Sequence, residues 1–139
     1  MVNLVLLAYL AGIVDGEGSI RVHSQPRSRS YSVELTVKMN DRRTVELIHE
    51  HFGGSFFTDG HHKEQRIMYC WNIRSRKAVE LLQELLPYLI YKKPQAELCI
   101  EFAEFWHSLP HAGKGVKRTE EQLAKAEAYH LECKRLKTL

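Results

Sequence analysis

The sequence has few cysteines, little net charge and no apolar run long enough for a membrane, and each shortage removes a class of function. Cys70, Cys99 and Cys133 are odd in number and far apart in sequence, which argues against a disulfide framework and against a cysteine-rich zinc site. The expectation is a reducing intracellular compartment, either archaeal or bacterial cytoplasm or an organelle. The apolar stretch from Val2 to Val14 has no basic segment before it and runs into Asp15 and Glu17, so it does not read as a signal peptide. It is also too short to span a bilayer, and no membrane partner is expected. There is no P-loop, no CxxC pair and no Ser/His/Asp arrangement. His49 and His51 are two apart on a predicted helix and do not share a face, and His61 and His62 sit in a polar turn, so all four read as surface residues. A net charge of +3 and a pI near 8.8 are weak signals for nucleic acid when taken whole.

The distribution of charge says more than its sum. Between Gly18 and Arg43, six basic residues (Arg21, Arg27, Arg29, Lys38, Arg42 and Arg43) face only Glu34 and Asp41. A second basic excess runs from Lys114 to the end of the sequence, and the stretch between is slightly acidic. With 139 residues and 44% hydrophobic content, the chain suits one compact domain spanning residues 1–139.

The most informative segment is Tyr9 to Ser19, an apolar helical run, predicted over about 3–17, that carries Gly12 and Gly16 and ends on Asp15 and Glu17. Two interior glycines cost a helix roughly 2 kcal/mol relative to alanine. Ala8, Gly12 and Gly16 recur every four residues and therefore share one face, where a second helix can approach backbone to backbone. The stripe delivers Glu17 to the end of that contact.

Hydrophobic periodicity supplies the remaining elements. Ile20 and Val22 alternate with Arg21, His23 and Gln25, and Val33, Leu35 and Val37 alternate with Ser32, Glu34, Thr36 and Lys38, which predicts a hairpin over about 19–39. Its turn, Gln25-Pro-Arg-Ser-Arg-Ser30, is rich in arginine. Asn40 or Asp41 caps a helix to about His51, stopped by Phe52-Gly53-Gly54. A second hairpin over about 55–73 precedes a helix from Ser75 to Leu86 closed by Pro87, then a helix from Gln95 to about His107 after Pro94. The last helix, about 119–137, opens on Thr119 as N-cap with an acidic first turn. The expected class is α+β, an αββαββα core with an antiparallel sheet and a C-terminal helix. One sheet face is left free by the helices, and it would carry Arg21, His23, Gln25, Ser32, Glu34, Thr36 and Lys38. That set, with Arg27 and Arg29 in the turn, suits the major groove of double-stranded DNA. Arg42, Thr58 and Arg66 complete the candidate DNA contacts.

Residues Leu10-Ala11-Gly12-Ile13-Val14-Asp15-Gly16-Glu17-Gly18 resemble the signature of the LAGLIDADG homing endonucleases. The resemblance extends to about residue 105. It implies a site-specific endonuclease that makes a double-strand break in a long, nearly palindromic DNA target using Mg2+ and leaves short 3′ overhangs. It also implies a homodimer for a chain with one motif, the motif helices packing through Ala8, Gly12, Asp15 and Gly16. By the resemblance Glu17 is the metal ligand, joined by the Gly16 carbonyl, and Asp15 is structural. Lys92, with Lys93 as the alternative, matches the lysine such proteins place near the active site. Lys38 matches the position at the end of the second strand that helps to order water, with Arg42 a weaker candidate for the same pocket. Two other readings stay open, an RNA-binding intron maturase and a non-catalytic DNA-binding regulator of the same fold.

Overall fold

The structure, a computed structural model, describes residues 3–60, 67–110 and 117–138. Helix α1, Leu4–Glu17, starts at Asn3, whose Oδ1 accepts from the Val5 N–H at 2.9 Å and the Leu6 N–H at 3.3 Å. Strand β1, Gly18–Gln25, follows without an intervening turn. Gly18 makes this junction possible, since a Cβ there would lie 2.7 Å from the Val14 Cα. The arginine-rich link contains a single 3-10 turn at Pro26–Ser28, and strand β2, Ser30–Met39, returns antiparallel with Ile20 opposite Leu35 and Val22 opposite Val33.

Helix α2, Arg42–Phe52, is capped by Asp41, whose carboxylate accepts from the Arg43 N–H at 3.1 Å. The two glycines expected to stop it do so in left-handed conformations. At Gly54 a Cβ would come within 2.5 Å of the Asn72 carbonyl oxygen, so a side chain there would push apart strands β3, Ser55–Asp59, and β4, Met68–Arg74. The polar turn between these strands falls on residues 61–66, outside the described residues, and with it the DNA contact expected of Arg66.

Helix α3, Ser75–Leu85, ends one residue before the expected boundary, and a 3-10 turn at Leu86–Tyr88 takes up Pro87. Helix α4, Lys93–His107, begins ahead of Pro94 rather than after it, because a proline in the first helical turn gives up an N–H that has no intrahelical partner. Helix α5, Glu120–Lys137, carries a full capping box between Thr119 and Gln122. The αββαββα core is thus followed by α4 and α5.

The four strands form one antiparallel sheet in the order β1-β2-β4-β3, the two hairpins meeting where β2 pairs with β4. Ile20, Val22, Val33, Leu35, Val37, Trp71 and Ile73 point to one side and pack against the helices. Trp71, fully buried, donates its Nε1–H to the Gly53 carbonyl at 2.6 Å. Beneath β1, the Phe102, Phe105, Trp106 and Tyr129 rings cluster, and His130 Nδ1 donates to the Val22 carbonyl at 2.6 Å. Cys99 and Cys133, distant in sequence, face each other across α4 and α5 as buried thiols 3.9 Å apart. Among the described residues no helix is long and apolar enough to cross a membrane.

Candidate active site and nucleic-acid interface

Helix α1 is apolar around its whole circumference, but only half of it is covered. Leu7, Leu10, Ala11 and Val14 are buried in the core. Leu4, Val5, Ala8, Tyr9, Gly12 and Gly16 are exposed, and a Cβ built on Gly12 or Gly16 meets nothing within 4 Å among the described residues. The smooth stripe expected from the four-residue spacing is therefore an open face of this chain.

The last turn of α1 is tied to the segment before α4 by Asp15. Its carboxylate accepts from the backbone N–H groups of Ile90 at 2.8 Å, Tyr91 at 3.1 Å and Lys92 at 2.9 Å. The charged end of Asp15, a residue expected both to be structural and to lie at the dimer contact, thus turns into its own chain and not onto the open stripe. The same fold-back brings the Lys92 ammonium to the end of the helix, where it donates to the carbonyls of Val14 at 2.8 Å and Asp15 at 3.0 Å. Burial lowers the Lys92 pKa from its ordinary value, opposed by the charges of Asp15 and Glu17 and reinforced by Lys137. Lys93, the alternative, is exposed in the first turn of α4.

Glu17, the last residue of α1, is exposed, and its carboxylate forms no hydrogen bond or ion pair among the described residues. A free carboxylate and adjacent backbone carbonyl are hard oxygen donors of the kind Mg2+ takes, together with substrate phosphates. No group of three or more His, Cys, Asp or Glu side chains able to hold a metal occurs among the described residues. One chain thus offers a partial coordination set that fits such a cation only when other oxygens complete it.

The uncovered sheet face presents the residues that strand parity selects. Register places Arg21 opposite Glu34, His23 opposite Ser32, and Ser19 opposite Thr36. The β2–β4 register, which alternation within one hairpin cannot supply, adds Arg74 beside Glu34, Asn72 beside Thr36 and Cys70 beside Lys38. Asn72 Nδ2 donates to Thr36 Oγ1 at 3.0 Å. Glu34 departs from expectation. It is only 2% exposed, with Oε1 taken by Arg21 Nε at 2.7 Å and Oε2 by Arg74 Nε at 2.8 Å, so it is closed to a direct DNA contact. Burial raises its pKa, but donation from Arg21 and Asn72 and the charges of Arg21 and Arg74 outweigh that and hold the carboxyl below its usual value. Burial also lowers the His23 pKa.

Lys38 reaches the same face, where Asp59 of β3 pairs with its ammonium at 2.5 Å. It is held by that strand and not by the end of α1. Thr58 and Arg42 lie elsewhere than expected. Thr58 pairs with Tyr69 in register, which puts it on the helix side of the sheet, and Arg42 pairs with Glu46 and lies over the Tyr69 ring at 5.8 Å. At the hairpin tip Arg27 is exposed and Arg29 pairs with Glu120 of α5. His49 packs beside Phe56.

Comparison with known proteins agrees with this arrangement. Residues 10–105 match the LAGLIDADG endonuclease family, and the chain belongs to that family. The homing endonuclease I-CvuI, solved with its DNA target in 2 mM Ca, superposes with a TM-score of 0.72 at 20% identity, over 95% of this chain and 82% of that one. The homing endonuclease I-TnaI gives a TM-score of 0.65 at 22% identity over 95% of this chain and 93% of the other. I-GzeII, solved with a DNA target, gives a TM-score of 0.65 at 20% identity, but this chain covers only 44% of it. A comparison with curated protein sequences finds no match.

Proposed function

We propose that this member of the LAGLIDADG endonuclease family acts as a homodimer and is a site-specific DNA endonuclease, cutting both strands of a long, nearly palindromic target with the help of a divalent cation, Mg2+. The observation that carries the reading is the exposed Glu17, its carboxylate free of hydrogen bonds among the described residues, at the end of an open small-residue stripe. A two-fold contact through Ala8, Gly12 and Gly16 covers the stripe and brings two copies of Glu17 together. That supplies the second carboxylate and the second active site a double-strand break needs. I-GzeII, more than twice the length this chain matches, has room for two such units in one chain.

Glu17 and the Gly16 carbonyl would hold the cation, which supplies charge neutralisation on the attacking and leaving oxygens of the phosphodiester. Lys92, fixed by two carbonyls, places a positive charge beside that position and stabilises negative charge developing on the phosphate. The uncovered sheet face enters the major groove, with Arg21, Arg74, His23, Gln25, Ser32, Thr36, Asn72 and Lys38 toward the bases and Arg27 toward the phosphate backbone. The proposal places the chain in a reducing intracellular setting, where Cys70, Cys99 and Cys133 remain thiols.

Incubation with a DNA library containing candidate host-gene insertion sites, with Mg2+ and with EDTA, tests the reading. Mg2+-dependent double-strand scission at one site is expected. Tight binding of structured RNA without DNA scission would assign an intron maturase instead, and sequence-specific DNA binding without scission a regulator.

A further inference from the structure

Glu34 is an unusual residue to find on this face. A buried carboxylate in the middle of a surface that meets a polyanion repels its ligand, and burying it carries a desolvation cost that a surface ion pair rarely repays. Both carboxylate oxygens are occupied by arginines from different strands. Arg21 on β1, Glu34 on β2 and Arg74 on β4 form one row across three strands. The arginine side chains remain 41% and 50% exposed, so each keeps donors free for another partner. Arg21 turns Nε and Nη2 to the carboxylate, which fixes the plane of its guanidinium. Arg74 is the last residue of β4, and Ser75 beyond it has a φ of +61°, a left-handed conformation that turns the chain abruptly into α3.

We infer that Glu34 is a positioning residue that holds Arg21 and Arg74 as a fixed pair of base-reading arginines, each directed to a guanine edge in the target half-site, and that Arg74 is a specificity determinant. The inference rests on the endonuclease reading above and adds the device that makes two flexible cations selective. An unrestrained arginine finds phosphates on any sequence. One whose fork is set before binding loses less freedom on meeting a base edge with two acceptors, so guanine is favoured over other bases. The two arginines start from strands about 10 Å apart, two strand spacings, and converge on one carboxylate. Their positions in the target therefore lie within about three base pairs of each other, given the 3.4 Å rise of DNA.

The test uses a target that the wild-type protein selects from a randomised DNA library in Ca2+, followed by binding to every single-base variant and to random-sequence DNA at several salt concentrations. Glu34→Gln, which keeps shape and removes charge, should bind the selected target about tenfold less tightly and random DNA more tightly. Its preference should relax at the same positions as in Arg21→Ala and Arg74→Ala. A merely structural Glu34 would weaken both kinds of DNA alike, and a wild-type profile in Glu34→Gln would likewise overturn the inference. Arg74→Lys keeps the charge and lacks the fork, so it tests the same point should Glu34→Gln fail to fold. It should lose preference at one symmetric pair of positions with its salt dependence unchanged, and retained preference overturns the role of Arg74. A wild-type protein that selects no DNA overturns the endonuclease reading and this inference with it, whereas selection by wild type with unaltered profiles in the variants overturns the inference alone.

Discussion

Glu17 and Glu34 are both carboxylates on the surface proposed to meet DNA, and the structure treats them in opposite ways. Glu34 sits mid-strand, closed to solvent, with an arginine on each oxygen. Glu17 ends a helix, open to solvent, with no hydrogen bond or ion pair among the described residues. A carboxylate whose two oxygens are both engaged by its own chain's donors has little capacity left for a cation, so it organises protein groups. A carboxylate left bare keeps that capacity for a ligand. Asp15, two residues from Glu17, belongs with Glu34, since three backbone N–H groups occupy its oxygens. On the proposed reading, the motif pairs an acid that builds the site, Asp15, with an acid that serves it, Glu17.

The largest expected effect separates these roles. Glu17→Gln should abolish cleavage while leaving target binding within about tenfold, because most affinity comes from phosphate and base contacts. Single-turnover cleavage in Mg2+ beside a binding isotherm in Ca2+ decides it, and a variant that still cuts at a comparable rate removes Glu17 from the chemistry. Lys92→Ala should come next, with cleavage falling by about 10²–10³ and target preference little altered, as when one preorganised charge is removed from a transition state. If binding falls instead and the rate of bound complexes holds, Lys92 is a phosphate anchor.

A second comparison lies within α1, whose two faces are equally apolar and differently covered. Gly12→Leu meets no obstruction in its own chain, so the isolated protomer should keep its fold, aided by a helix propensity gain of about 1 kcal/mol. The same leucine would hold two helices apart at the stripe. Sedimentation should therefore show loss of the dimer without loss of helical signal, and a dimer that survives with full activity would place the interface elsewhere. On the buried side of the same turn, Asp15→Asn keeps one acceptor and loses the charge that three N–H donors share. It should destabilise the fold by about 2 kcal/mol in urea titration, and a change near zero would mean that the segment before α4 holds itself in place.

The legible part of the molecule was whatever repeats at short range. Strand alternation placed Arg21, His23, Ser32, Thr36 and Lys38 on one face, the small-residue spacing identified the open stripe, and Gly53-Gly54 marked where α2 stops. Partners from separate hairpins were not legible. Nothing in residues 18–39 says that β2 will lie beside β4, so strand alternation alone does not single out Arg74 or Asn72 and leaves Glu34 as a free contact. The same limit hid Asp15's three N–H donors, 75 to 77 residues away in sequence. The helix-side position of Thr58 follows from the pairing of β3 with β4 and not from the short sequence of β3 itself. Each miss is a long-range contact, which only the assembled fold defines.

The smallest effect concerns acid, and it distinguishes two groups on the recognition face. His23 has its pKa lowered from 6.5, first by burial and then by the charges of Arg21, Arg74 and His130, with Glu34 opposing. Below 6.5, down to the lowered folded value, the unfolded chain therefore binds more protons at His23 than the folded one, and stability declines as pH falls through that window. Glu34 acts in a separate window. Its folded pKa lies below 4.5, so its contribution is fully present above 4.5 and is lost as pH falls through the folded value. Urea-unfolding midpoints measured from pH 8 to pH 3 should show a shallow decline beginning near 6.5 and a steeper one below 4.5. His23→Asn should shrink the first, leaving the share of His107, whose pKa burial also lowers, and Glu34→Gln should shrink the second. If His23→Asn leaves the upper decline undiminished, burial does not hold the His23 imidazole below its ordinary value, and the decline belongs to His107 alone.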